Sequence, residues 1–315
     1  MRVSSIDIGT NTVLLLVADI DNEGTIHPLA HEQRFPRLGR SVDRSLAIQD
    51  SAFSEVVTVL REYQEISAQF GNSVLVVSAT SAVRDASNRN DFVAWIRRQT
   101  GIQVEVLDGE EEALWTYRGA LSGFRDHRQE TAVLDIGGGS TELSFPNPHS
   151  HNGHPELQRY SLQLGAVRLT ERFFRHDPPV SAEIESAQSF ILEEFAPIRN
   201  PGFHRYDLIG VAGTVTTLAC LDQNLEEFRV ETVSGYRISK AHVADWTSRL
   251  QSMRSDQIRA MSRATWGRAD ILTGGVMILS VLMSHFGFEY VLVSERGLRY
   301  GMVIREWEKS REPPR

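Results

Sequence analysis

Two short phrases place an aspartate, glycine and small hydroxyl residues directly after an apolar run: IDIGTNT at residues 6–12 and LDIGGGSTEL at residues 134–143. Gly137, Gly138 and Gly139 let successive backbone N–H groups turn toward one point, because glycine accepts unusual dihedrals and carries no side chain. Such a nest favours an anion. Thr10, Asn11, Thr12, Ser140 and Thr141 add side-chain donors. Aligning the phrases sets Asp7 on Asp135, Gly9 on Gly137 and Thr12 on Ser140, and leaves Glu142 against Leu14. A carboxylate beside an anion nest is repulsive unless a cation lies between them. Oxygen ligands of this type suit Mg²⁺, with Mn²⁺ as a substitute, because the ion keeps several waters and bridges carboxylate to phosphate. Asp7, Asp135 and Glu142 are therefore the candidate metal residues. Their plainer roles would be a backbone cap for a strand aspartate and a solvent-facing position for Glu142.

Three further stretches carry chemistry of the same kind. GEEEA (109–113) lies where a strand gives way to a helix. Acidic residues in a first turn suit the helix dipole, which accounts for Glu110 and Glu111. A third carboxylate exceeds that need. Attack of water on phosphorus requires a group that orients the water and takes its proton, so Glu112 is the candidate base. In ATSAVRDASNRN (79–90) a buried strand ends in small polar residues and Arg84, whose forked donors could clamp a phosphate oxygen. In IGVAGTVTTLA (209–219) a strand meets a glycine turn and a helix start, so Gly213 and Thr214 could accept another phosphate. The cluster HSHNGH (149–154) matches no metal-ligand spacing and reads as a hairpin loop.

These residues need a scaffold. Strands are expected at 2–8, 13–21 and 24–35, a meander with no helix between its first two strands. That order excludes the P-loop and the Rossmann turn, which need a strand, glycines and then a helix. Helices follow at 51–70, with Gly71 as a stop, at 91–100, capped by Asn90 and ended by Gly101, and at 110–121, with strands at 73–80 and 102–107 between them. The meander then returns at 131–136, 141–145 and 156–163. Helices at 166–174 and 181–198, a strand at 205–213, a helix from 214, two further helical stretches, a strand at 289–294 and a helix near 297–309 complete the chain. A repeated meander plus α/β unit predicts two similar lobes facing one another, with the two glycine hairpins pointing into one cleft.

The chain's 315 residues exceed a single minimal domain, and 41% hydrophobic with 23% charged residues is ordinary for a globular protein. One cysteine, Cys220, allows no intramolecular disulfide and fits a reducing compartment. The N-terminus MRVSSIDIGT has no apolar signal core. The run ILTGGVMILSVLMSHF (271–286) is short for a membrane span and reads as a buried helix. Net charge of −8 argues against a nucleic-acid-coating surface but not against a phosphorylated ligand gripped by local donors. A cytoplasmic protein with no membrane or nucleic-acid partner is expected.

Together and in order, DIGTNT, ATSAVRDASNR, GEEEA, DIGGGSTEL, VAGTVTTLA and SERGLRYG resemble the exopolyphosphatase / guanosine pentaphosphate phosphohydrolase (Ppx/GppA) family over nearly the whole chain, in its short two-domain form. The resemblance implies an α/β fold of two ribonuclease H-like lobes, as in actin, Hsp70 and sugar kinases, with the active cleft between them. The lobes would span 1–126 and 127–297, with a final helix near 298–315 packing back on the first. It implies Mg²⁺-dependent release of terminal phosphate from inorganic polyphosphate or from the 5′ end of pppGpp. By motif, Glu112 looks like the catalytic glutamate, Arg84 the phosphate-gripping arginine, Asp135 and Glu142 the metal-associated acids. Asp7, Thr10, Asn11 and Gly137 to Ser140 match the two phosphate loops, and Ser294, Glu295 and Gly297 a closing segment. Longer members continue into a helical domain that helps hold long polyphosphate and supports dimers. This chain stops near 315, so a homodimer and long-chain processivity stay open. RATWGRAD (263–270) replaces a Pro-Gly-like turn of many members. Two rivals remain: a polyphosphate or alarmone sensor that does not cut, and a kinase of the same fold.

Overall fold

A computed structural model describes residues 1–71, 73–124, 130–147 and 156–312. The chain divides into two compact units: Met1–Arg125 with Arg296–Arg315, and Asp126–Glu295.

The first unit is built on a five-stranded sheet in the order β3-β2-β1-β4-β5. Its strands are β1 (Arg2–Ile8), β2 (Val13–Ile20), β3 (Ile26–Arg34), β4 (Val74–Ala79) and β5 (Glu105–Val106). The first three form the expected antiparallel meander, and β4 adds to β1 in parallel. The helices are α1 (Val42–Ser45), α2 (Asp50–Gln69), α3 (Ser81–Arg84), α4 (Arg89–Thr100) and α5 (Gly109–Leu121). Along α2, the buried Ala52, Val56, Leu60 and Tyr63 recur at three- and four-residue steps, so one stripe faces the sheet. The Tyr63 hydroxyl donates to Val13 O at 2.9 Å, which satisfies a buried phenol. Gly101 ends α4 at φ +75°, a left-handed cap that glycine adopts without strain.

The second unit has a six-stranded sheet, β10-β11-β9-β6-β7-β8. Its strands are β6 (Thr131–Ile136), β7 (Thr141–Pro146), β8 (Leu157–Leu162), β9 (Asp207–Val211), β10 (Arg237–Ser239) and β11 (Tyr290–Val293). Again three strands run antiparallel in order, and β9 and then β11 extend the sheet in parallel from the first of them. The helices are α6 (Ala166–Phe173), α7 (Ser181–Phe195), α8 (Ala212–Asp222), α9 (Val230–Val233), α10 (Lys240–Gln251), α11 (Ser255–Met261) and α12 (Ala269–Phe286). Helix α12 is long and apolar enough to cross a membrane by length and composition, yet 72% of it is buried within the protein, where Leu272, Val276, Leu279 and Met283 join the core. Cys220 is buried in α8, and burial pushes its thiol up to about 11.

Helix α13 (Leu298–Arg311) belongs to the first unit. It crosses α5 at two glycines: a Cβ on Gly301 would lie 1.9 Å from Trp115 O, and one on Gly119 2.1 Å from Gly297 O. Arg118 Nη1 reaches Glu308 at 2.7 Å and Arg305 Nη1 reaches Glu105 at 2.9 Å, which ties the helix down along its length.

Several expected boundaries shift. Strand β5 has two residues instead of six, pairing only Ser78 with Glu105 and Ala79 with Val106. Helix α4 starts at Arg89 after Asn88, whose amide instead closes on both backbone groups of Ile48 at 2.9 Å. The short strand β10 and the single-turn helices α1 and α3 were not expected, because a turn or three residues leave no periodic pattern to read. HSHNGH lies outside the described residues.

Candidate active site

In the first unit, β1 runs into a tight turn closed by Gly9 N–H donating to Thr12 O at 2.9 Å. Thr10 and Asn11 are buried in this turn, and their carbonyls accept from Gly39 at 2.7 Å and Arg37 at 3.2 Å. Gly39 is required here, since a Cβ would lie 2.0 Å from the Thr10 methyl. Asp7, one step before the turn, pairs with Leu14 on β2 and Ser78 on β4. Its Oδ1 is buried with no hydrogen-bond partner among the described residues. Burial raises its carboxyl from 3.8 to about 7; the negative charge of Glu112 adds to the shift, and Arg299 opposes it.

Arg84 and Glu112 come together beside it. Strand β4 ends at Ala79, and the single turn of α3 that follows carries Arg84. Helix α5 begins at Gly109, capped by Asp108, whose Oδ1 accepts from Glu111 N at 2.8 Å. One turn in, Glu112 is 7% exposed, and Arg84 Nη1 donates to its Oε2 at 2.7 Å and to Leu107 O at 3.1 Å. Burial raises the Glu112 carboxyl, while the Arg84 charge, its hydrogen bond and one from the Thr80 side chain hold it back. A carboxylate in this setting is fixed in orientation and more basic than an exposed one, as a proton acceptor needs.

The second unit repeats the turn. Gly137 N–H donates to Ser140 O at 3.0 Å. The loop carbonyls point away from the turn's interior: Gly137 O accepts from Ala166 N at 2.9 Å, Gly138 O from Val167 N at 2.8 Å, and Gly139 O from Arg168 Nε at 2.7 Å. The first amides of α6 are thereby satisfied, and the N–H groups of Gly138 and Gly139 make no hydrogen bond among the described residues. This is the geometry of an anion nest. Gly165 permits the approach, since a Cβ there would lie 2.4 Å from Gly138 O. Asp135 and Glu142 are direct partners across β6 and β7, which puts both carboxylates on one face of the sheet. Glu142 is 2% exposed and its Oε1 accepts from Ser161 Oγ at 2.8 Å.

Gly213 and Thr214 open α8 beside the same loop, with Thr214 Oγ1 3.5 Å from Ile136 O. A Cβ on Gly213 would lie 1.1 Å from Arg268 Nη1, so the guanidinium rests against the bare backbone. Burial lowers Arg268 to about 10. Arg268, Arg168 and Arg299 were missed as site residues, because nothing local marks an arginine that reaches a loop from another element. Ser294 N–H donates to Gly210 O at 2.9 Å, and Glu295 accepts from Ser234 Oγ, which anchors the closing segment. Among the described residues no group of three or more His, Cys, Asp and Glu is placed to hold a metal. The Asp135–Glu142 pair nevertheless fits Mg²⁺, which needs one or two carboxylates and keeps its waters.

A family model for the Ppx/GppA phosphatase family matches residues 16–310. The chain belongs to the Ppx/GppA phosphatase family. It is 31% identical over 317 residues to Exopolyphosphatase 2 of Mycobacterium tuberculosis, an alignment covering 96% of this chain and 98% of that one. Among solved structures it is similar to the Aquifex aeolicus family member, with a TM-score of 0.81 at 29% identity over 99% of both chains. It is also similar to an exopolyphosphatase from Cytophaga hutchinsonii, with a TM-score of 0.86 at 26% identity over 98% of both chains. As a Ppx/GppA protein it has two ribonuclease H-like lobes of the actin/Hsp70/sugar kinase kind, and it is a hydrolase of phosphoanhydride bonds.

Proposed function

We propose that this Ppx/GppA phosphatase releases terminal orthophosphate from inorganic polyphosphate, with Glu112 as general base. The supporting observation is the buried Arg84–Glu112 pair, which joins a raised carboxyl to a guanidinium at 2.7 Å. Glu112 orients a water and takes its proton as the water oxygen attacks the terminal phosphorus. The bridging P–O bond breaks, and the chain leaves one phosphate shorter with the bond's electron pair on its new terminal oxygen. Arg84 holds Glu112 in position, and Thr80 restrains the same carboxylate. Within the second unit the N–H groups of Gly138 and Gly139, with Ser140, Gly213 and Thr214, are the proposed donors to phosphate oxygens, and within the first unit Thr10, Asn11 and Thr12 are. Asp135 and Glu142 would hold Mg²⁺ or Mn²⁺, which offsets charge on the phosphate oxygens when bound; Asp7, in the other unit, joins no such group among the described residues.

Phosphate release from short polyphosphate, long polyphosphate, pppGpp and ATP, measured side by side with Mg²⁺, tests this reading. Release from polyphosphate in excess of ATP is expected. Release from pppGpp alone would move the substrate to the nucleotide. Tight binding of either compound without release would make the protein a sensor. A cytoplasmic location is part of the same proposal, since both substrates are intracellular polyanions.

A further inference from the structure

The first unit holds a cavity of about 550 Å³ next to Arg84 and the α5 cap. We infer that this cavity is a second anion subsite, which takes substrate phosphates that lie away from the reacting end. The inference rests on the proposed phosphatase reading and names residues that reading does not use.

The walls combine Arg84, Arg89, Asn90 and Arg97 with Val93, Leu107 and Asp108. On α4, Arg89, Val93 and Arg97 follow one another at four-residue steps, so all three lie on one helix face. Arg84 is already paired with Glu112, so two further guanidinium groups, of Arg89 and Arg97, meet one carboxylate. That carboxylate is already engaged, because Asp108 Oδ1 caps α5 through Glu111 N. Arg89 Nη1 lies 3.4 Å from Arg84 O, which keeps its charge at the catalytic end of the cavity. Arg97 is exposed, and its guanidinium makes no hydrogen bond or ion pair among the described residues. Its neighbour Arg98, outside the cavity, lies over the Trp95 ring at 5.7 Å.

The chemistry follows from these contacts. Guanidinium forks match phosphate oxygens in pairs, and Val93 and Leu107 exclude water from one side, which strengthens each charge contact. The volume falls within the range of a small-molecule site and exceeds what one orthophosphate fills. A neutral ligand would leave the Arg89 and Arg97 charges without a counter-charge in the cavity beyond Asp108. The ligand is therefore an oligophosphate, either the next units of an inorganic chain or the remaining phosphates of a nucleotide.

Kinetics of Arg97→Glu and Arg89→Ala test this, with Arg98→Ala as a control on the same helix and thermal melts as the check on folding. Reversing a charge that meets phosphate is expected to raise KM for long-chain polyphosphate about tenfold, with a much smaller change in kcat and on tripolyphosphate. The salt dependence of KM should become shallower. Arg98→Ala should match the wild type. A KM shift on pppGpp instead of the long chain would assign the cavity to nucleotide phosphates. Unchanged KM on both, in a folded Arg97→Glu protein, would overturn the subsite while leaving the phosphatase reading intact. If the wild type releases no phosphate from any substrate, that reading fails. Calorimetric titration with long-chain polyphosphate then decides the subsite alone, and equal affinity for wild type and Arg97→Glu would overturn it.

Discussion

In the β1–β2 hairpin Gly9 donates to Thr12 O at 2.9 Å, and in the β6–β7 hairpin Gly137 donates to Ser140 O at 3.0 Å. The aspartate before each turn also holds the same register, Asp7 opposite Leu14 and Asp135 opposite Glu142. The backbones are copies, but the surroundings are not. Both aspartates are half-buried, but Asp7 has an enclosed Oδ1, faces leucine and is pushed to about 7, while Asp135 faces a second carboxylate. The supports differ as well. Loop residues Arg37 and Gly39 hold the first turn, and the start of α6 with Arg168 holds the second. One backbone device thus serves two tasks. The first copy borders the Arg84–Glu112 pair proposed to handle the proton, and the second sets two carboxylates beside an anion nest, where a cation is proposed.

The largest effect should come from the group that only the first unit supplies. Glu112→Gln keeps an acceptor for Arg84 but cannot take a proton, so kcat should fall at least about a hundredfold with substrate binding retained. Near-normal phosphate release from a folded variant would remove Glu112 from the mechanism.

Next is the enclosed Asp7. Its folded carboxyl, at about 7, lies above its ordinary 3.8, so the folded protein binds the extra proton. The associated stability is complete below about pH 4 and lost as pH rises toward 7. At about 1.4 kcal/mol per unit the ceiling is near 4 kcal/mol, and relaxation around the charge should leave about 2 kcal/mol. Asp7→Asn, melted in EDTA, should therefore gain on the wild type at pH 8 and match it at pH 4. Equal differences at both values would refute the enclosed, neutral-leaning carboxyl.

The smallest effects separate the two copies directly. Glu142→Gln should raise the Mg²⁺ concentration for half-maximal activity several-fold, on the order of one charged contact. Its structural counterpart Leu14→Ala should leave that concentration unchanged and cost about 1 kcal/mol of stability, because Leu14 is only partly buried. If both variants shifted the metal requirement equally, the division of labour between the hairpins would fall.

Much of this architecture is legible in the sequence. Hairpin register is a local property, set by the turn and by alternation along two adjacent strands, so aligning IDIGTNT with LDIGGGSTEL already placed Glu142 where the other copy has Leu14. The repeated meander and the long amphipathic α2 were readable for the same reason. The shortness of β5, expected over 102–107, and the three-residue β10 were not, because their pairing depends on neighbours far along the chain. What only the tertiary structure decided are contacts between elements. Arg84 and Glu112 meet across 28 residues, Gly165 must be bare because Gly138 O presses on it, and Arg268 rests on Gly213 from another helix. The apolar run of α12, short for a membrane span, reads as a buried helix from the sequence, and its side chains do lie in the core. Sequence specifies which groups are present and their local periodicity, whereas burial and the distances between groups arise only when separate elements pack together.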